Sequence, residues 1–228
     1  MVAGVRAAFG EPVVPRVPDS VQRMGTAART PVSPRRAARR AELLDAAIRA
    51  IRRGDGPVAM EDIAAEAGIS RPILYRHFGD ATGLYAAVAD RFCQELLARL
   101  RASVREVAPG RDLLHRQIVT YLAFIADDPQ VYRFLVRQAP ADRPRSATHG
   151  SGFSRLVADS TAEFLVGTGW EAGSAVAGAD LFVGGLEAAA SRWVEEPSVS
   201  YQQLADQLTA VLWGGFRRAG AVTAAERA

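Results

Sequence analysis

With 228 residues, 28 basic against 25 acidic side chains and 49% apolar residues, the chain is long enough to bury a sizeable core and is not disordered as a whole. No apolar run approaches the roughly 20 residues of a membrane span, and the N-terminus has arginines but no compact apolar stretch before a cleavage site, so a cytoplasmic protein without a membrane partner is expected. Charge is unevenly placed: between Arg29 and Arg53 eight arginines stand against Glu42 and Asp45, six charges positive in a chain whose total is only +3. One end sitting on a polyanion would account for such asymmetry.

Residues 1–33 hold Pro12, Pro15, Pro18 and Pro31 among valines, glycines and arginines with no sustained period, and read as a flexible arm rich in arginine and proline. Whether the arm touches a polyanion or is only a solvated tail stays open. Order begins at Ser33-Pro34, a cap followed by a proline in the first helical position. The spacing of Leu44, Ala47, Ile48 and Ile51 then predicts a helix ending at Gly54-Asp55-Gly56. Its arginines Arg35, Arg36, Arg39 and Arg40 are candidate phosphate contacts.

The next stretch, Met60 to Phe78, reads as two short helices broken at a glycine. Ile63, Ala64 and Ala67 share one stripe; Gly68 can take the left-handed conformation of a sharp helix stop, and Ile69 can plug the corner. Ser70 is a good N-cap, and Pro72 falls in a first turn where its missing N–H is harmless. Leu74 and Phe78, spaced i, i+4, can face the first helix. Ser70, Arg71, Pro72, Ile73, Tyr75, Arg76 and His77 are left to an outward face suited to a major groove: guanidinium for guanine edges and phosphates, apolar groups for thymine methyls, phenol and imidazole for phosphate oxygens. A surface helix–turn–helix with no nucleic-acid role is the bland alternative.

These residues carry a resemblance. Ile63-Ala64, Ala67-Gly68-Ile69-Ser70 and Leu74-Tyr75-Arg76-His77-Phe78, followed by Leu84, resemble the signature of the tetracycline-repressor family of bacterial regulators. Two positions depart from the pattern. Ala59 stands where a threonine usually opens the first short helix, and Ala81 where a lysine usually meets a phosphate. The resemblance implies an all-α protein with an N-terminal three-helix DNA-binding headpiece and a C-terminal helical domain that binds a small molecule and dimerises.

Asp80 predicts the cap of a long helix running to about Val107 with Leu84, Val88, Phe92, Leu96, Leu97, Leu100 and Val104 on one side. It contains the chain's single cysteine, Cys93, read as a buried structural thiol. Further helices are expected at about 112–126, 129–138 and 153–166, with 140–152 as the longest internal loop. Their aromatic residues are mostly core material. Within them the resemblance implies a largely apolar effector pocket, for which Gln117, Thr120, Tyr121, Phe124, Arg137 and Phe164 are the candidates, with Arg133 and Gln138 as further polar anchors. Two last helices, about 172–196 and 200–219, carry Ala175, Ala179, Leu186, Ala189, Ala190 and Trp193 on one and Leu204, Leu208, Val211, Leu212 and Phe216 on the other, with Gly178, Gly184 and Gly185 permitting close approach. Read through the resemblance, Gly178, Gly185, Ala189, Leu204, Leu208 and Val211 are candidates for a four-helix dimer interface; a hairpin buried within one body is the alternative.

Catalytic patterns are incomplete. Gly150-Ser151-Gly152 lacks a nucleophile-elbow spacing, Gly167-Thr168-Gly169 fails the dinucleotide fingerprint, and His77, His115 and His149 have no ligand spacing. No enzyme, metal or cofactor is implied. The expected organisation is therefore an arm at 1–33, a helix–turn–helix domain at 34–80 and a ligand-sensing, dimerising domain at 81–221. It describes a homodimeric regulator, by the family's majority a repressor, that leaves a palindromic double-stranded operator when it binds an unidentified small molecule. A helical adaptor that binds protein through the same headpiece is the competing reading.

Overall fold

A computed structural model describes residues 33–54, 58–103, 110–137, 158–159, 161–162, 165–166 and 170–225. All regular structure among them is helical, in agreement with the expected class. The arm, the loop over 140–152, Val104, Val107, Gln138, Phe153 and Phe164 lie outside the described residues, as does the side chain of Phe216.

The headpiece is made of α1 (Pro34–Arg53), α2 (Met60–Glu66) and α3 (Arg71–Phe78). Leu43, Leu44, Ala47 and Ile51 of α1, Ile63 and Ala64 of α2, and Leu74 and Phe78 of α3 are all buried, so the apolar stripes read from spacing do meet. Gly68 has φ of +63° and makes the left-handed stop between α2 and α3. Ser70 and Ser33, expected to cap through their hydroxyls, make no such bond among the described residues. At α3 the reason is local: Pro72 has no N–H to offer, and the N–H of Ile73 is taken by the Ser70 carbonyl at 2.9 Å. At α2, where Ala59 cannot cap, the Asp62 carboxylate accepts the Ala59 N–H at 3.2 Å and supplies the reciprocal half of a capping box.

The body continues through α4 (Ala81–Ser103), α5 (Arg111–Asp127), α6 (Pro129–Arg137), α7 (Ala172–Glu195) and α8 (Tyr201–Ala225). Asp80 caps α4 as expected, its Oδ1 accepting the Gly83 N–H at 2.7 Å. A side chain at Gly83 would overlap the Phe78 carbonyl oxygen, so the α3–α4 corner closes only around glycine. Of the helix expected over 153–166, the described residues 158, 159, 161, 162, 165 and 166 are helical. The last helix runs six residues past its expected end at Ala219. Gly220 costs about 1 kcal/mol relative to alanine, and the alanine-rich residues around it carry the helix through.

One core serves both parts. Helix α4 contributes Leu84, Val88, Phe92 and Leu96 to it, and Phe92 packs on Phe124 and Tyr132 at ring-centroid distances of 4.7 and 6.2 Å. Helix α8 lies chiefly along α5, with Ala205 and Thr209 buried and His115 of α5 bonded to Asp206 at 2.9 Å. His115, read from sequence as a plain surface histidine, is thus a contact between helices. Cys93 is buried, and burial, then the nearby Asp90 and Glu187, push its thiol up to about 12.

Candidate nucleic-acid interface

Arg71, Pro72 and Arg76 of α3 are exposed, Ile73, Tyr75 and His77 half-buried, and Ser70 at the helix entrance is exposed. The outward set read from the sequence therefore lies on one accessible side, with Leu74 and Phe78 anchoring the other. His77 is turned partly inward: its Nδ1 is buried with no hydrogen-bond partner among the described residues. Burial first, and then the charges of Arg76, Arg36, Arg39 and Arg40, hold its pKa below that of a free imidazole. Arginines from the first two turns of α1 and Arg76 of α3 thus share one electropositive region. Arg40 also stacks over the Phe78 ring at 4.9 Å, half-buried, tying that region to the headpiece core.

Arg71 is held by the protein. Its Nε and Nη2 donate to the Tyr75 hydroxyl at 3.0 and 2.9 Å, and its Nη1 donates to Glu61 of α2. The Tyr75 bond, then the Glu61 charge, raises the pKa of this exposed guanidinium. Ten residues separate Glu61 from Arg71, and helical periodicity within either helix says nothing of their contact; only the glycine corner brings them together.

The other arginines of α1 are used differently. Arg49 and Arg53 both bond Glu66, at 3.1 and 2.5 Å, and Arg52 bonds Asp128 at the corner between α5 and α6. Three arginines of the cluster are therefore ion-paired to acids of other elements. Beside these pairs a cleft of about 450 Å³ lies between α1 and α4–α6, floored by Ile48, Val88, Phe92, Phe124 and Val131. Of the candidate effector residues only Phe124 lines it. Tyr121 is buried, Thr120 bonds the Arg116 carbonyl at 2.8 Å, Arg137 pairs with Glu195 at 2.9 Å, Gln117 is half-buried, and Phe164 lies outside the described residues. Arg133, a further candidate anchor, donates to the Val194 carbonyl at 2.6 Å.

Sequence reading missed a polar group inside the body. Glu187 of α7 is only 5% exposed, and the Tyr132 hydroxyl lies 3.0 Å from Ser191 Oγ and 3.5 Å from the Glu187 carbonyl oxygen. Burial, then Tyr132 and Glu187, raise the Tyr121 hydroxyl well above the usual tyrosine value and keep it protonated. A lone acid in the run Leu186-Glu187-Ala188-Ala189-Ala190 was the available signal.

On α7 and α8 the candidate interface residues divide. A Cβ at Gly178 would lie 3.0 Å from Trp170 and 3.3 Å from Leu165, so its close approach is made within the subunit. Ala189, Leu204 and Leu208 are half-buried, the two leucines against their own core. Gly185 faces open space, Val211 is 73% exposed, and Leu181, not singled out from sequence, is 68% exposed.

Residues 43–88 match the model of the bacterial regulatory proteins of the tetR family, and residues 99–228 match the tetracyclin repressor-like C-terminal domain. An uncharacterized HTH-type transcriptional regulator of Mycobacterium tuberculosis is 32% identical over 180 residues, covering 78% of this chain and 77% of that protein. The HTH-type transcriptional activator FasR of Mycolicibacterium smegmatis is 34% identical over 110 residues, 48% of this chain and 50% of FasR. The crystal structure of a tetR-family regulator from Streptomyces coelicolor superposes with a TM-score of 0.65 at 23% identity, over 83% of each chain. A glycine corner bearing an exposed basic helix, a helical body on the same core, and matches to both halves lead to one conclusion: the chain belongs to the TetR family of helix–turn–helix DNA-binding transcription regulators, which are not enzymes.

Proposed function

We propose that the protein binds a palindromic double-stranded operator as a homodimer in the cytoplasm, with α3 in the major groove and the N-terminal arginines of α1 on flanking phosphates. The observation that carries this reading is the convergence of Arg36, Arg39, Arg40 and Arg76 around His77, beside the exposed residues Arg71 and Pro72. These arginines offer the phosphate grip that Ala81 cannot. The dimer would form through the outer faces of α7 and α8, where Leu181, Gly185 and Val211 leave apolar surface uncovered. Two α3 helices would then sit about 34–36 Å apart and enter successive major grooves.

In this reading a small molecule enters the body among α4–α7, near Tyr121 and Phe124, and fits best when α4 is tilted. It shifts the spacing of the two headpieces by as much as its differential affinity for the two states allows. The position of the operator relative to the promoter then sets the sign: release from an overlapping site relieves repression, and release from an upstream site ends activation. The test is salt-dependent binding to duplex DNA together with sedimentation. Arg76→Ala should weaken binding with the fold intact, and Val211→Arg, which buries a charge only in the dimer, should give monomers that lose most affinity for the two-fold site. A wild-type monomer, or an Arg76→Ala protein with undiminished affinity, would overturn the reading.

A further inference from the structure

Arg71 has its pose set by the protein. The guanidinium carbon lies 5.3 Å from the centroid of the Tyr75 ring, Nε and Nη2 converge on the Tyr75 hydroxyl, and Nη1 is drawn to Glu61 from the first turn of α2. Arg71 and Glu61 side chains remain 51% and 60% exposed, so the assembly stands at the surface where α3 would meet a groove.

We propose, resting on the DNA-reading function above, that Glu61 is a specificity-determining positioning residue: together with Tyr75 it fixes Arg71 in the pose that reads a guanine, and it disfavours poses in which Arg71 grips a phosphate. An arginine has five N–H donors. Tyr75 engages one on Nε and one on Nη2, and Glu61 one on Nη1, which leaves one on each terminal nitrogen. Two donors is the number that bidentate contact with guanine O6 and N7 takes. An unrestrained arginine on a flexible stem can instead swing to the sugar–phosphate backbone, where it adds affinity and no sequence information. Holding it from two sides removes that choice. A DNA backbone approaching this surface would also meet the exposed Glu61 carboxylate, and like-charge approach lowers binding to sequences that offer no compensating base contact. An ordinary exposed ion pair, worth little to the fold, would have neither consequence.

The experiment uses the full chain and a pool of random duplexes from which bound sequences are selected, for wild type, Glu61→Ala, Glu61→Gln, Arg71→Ala and the double variant Glu61→Ala/Arg71→Ala, with thermal midpoints measured alongside. Wild type should enrich a two-fold site with guanine at one position of each half. Glu61→Ala should weaken that guanine preference about tenfold, within what one bidentate contact carries, while binding random duplex more tightly and melting as wild type does. Glu61→Gln keeps an oxygen for Nη1 and should retain more of the preference. Arg71→Ala should lose the same position, and the double variant should lose no more than Arg71→Ala alone. A wild-type preference in Glu61→Ala, or losses that add in the double variant, would overturn the inference and leave operator binding standing. A wild-type protein that enriches no site would remove both.

Discussion

The two ends of α1 are built from the same side chain and put it to opposite use. Toward the C-terminus Arg49 and Arg53 share Glu66, and Arg52 reaches across to Asp128, so three arginines hold α1 to α2 and to the body. Toward the N-terminus Arg39 pairs with its neighbour Glu42, and Arg36, Arg39 and Arg40 act with Arg76 on the α3 side. What decides is the acids that folding brings near: α2 and the α5–α6 corner deliver carboxylates to one end, while α3, whose sequence holds no acid, delivers none to the other. A cluster that reads as a single footprint is half mortar and half exposed charge.

Both ends need a folded headpiece beneath them, and the largest effect should come from breaking it. Leu74 is 1% exposed between α3 and the rest of the headpiece. Leu74→Ala should cost about 2–5 kcal/mol in chemical denaturation, the range for a buried leucine truncated to alanine, and should abolish duplex binding. A variant as stable as wild type would mean that α3 is not packed as described.

Paired substitutions test the difference between the two ends. Arg36→Ala/Arg39→Ala should leave the thermal midpoint near wild type and reduce the slope of log K against log salt by about 0.9 for each phosphate no longer neutralised. Arg49→Ala/Arg53→Ala should do the reverse: it leaves the half-buried Glu66 without either arginine, costs on the order of 1 kcal/mol, and keeps the salt slope. Equal effects from the two pairs would erase the distinction between the ends.

The sequence made this protein legible wherever a short-range rule was in force. Gly68, Pro72, Leu74 and Phe78 act within one turn of themselves, and their roles follow from conformational freedom, a missing donor and i, i+4 spacing. Helix limits that fall among the described residues are readable for the same reason, except at the end of α8, where Gly220 lacks the strength to stop an alanine-rich helix. Contacts between residues distant in sequence are not readable. Nothing in the spacing of Arg52 and Asp128, 76 residues apart, of Arg71 and Glu61, or of Tyr132 and Glu187 announces that tertiary packing joins them. The hydroxyl of Ser70 yields to a competing local rule, since the backbone carbonyl reaches the free N–H first.

A smaller effect should come from the pair that joins headpiece to body. Arg52 Nη2 lies 2.6 Å from Asp128 Oδ2 with the arginine about half exposed, which places the pair near the surface range of about 0.2–1 kcal/mol. Asp128→Arg should destabilise by that much or somewhat more through the added repulsion. Arg52→Asp/Asp128→Arg should recover most of the loss, a coupling that a double-mutant cycle reads directly. Losses that simply add would show that the two side chains do not interact in solution and that α1 is held to α6 by apolar packing alone.

The smallest expected effect separates the two ends by pH. His77 lies at the N-terminal, acid-poor end, where burial and then Arg76, Arg36, Arg39 and Arg40 depress its pKa below the unperturbed value of about 6.5. The unfolded chain therefore binds this proton more tightly than the folded one. The stability His77 contributes is present in full above about pH 6.5 and is lost as pH falls through its lower folded value. Duplex DNA reverses the sign locally, because phosphates settling against the same arginines offset the charges that oppose protonation. Operator binding should then take up a proton and tighten slightly on acidification while the free protein grows less stable. His77→Gln should flatten both trends. Binding and melting measured between about pH 5.5 and 8 decide the matter: unaltered pH profiles in His77→Gln would place the sensitivity elsewhere and detach His77 from the arginines that make the N-terminal end of α1 different.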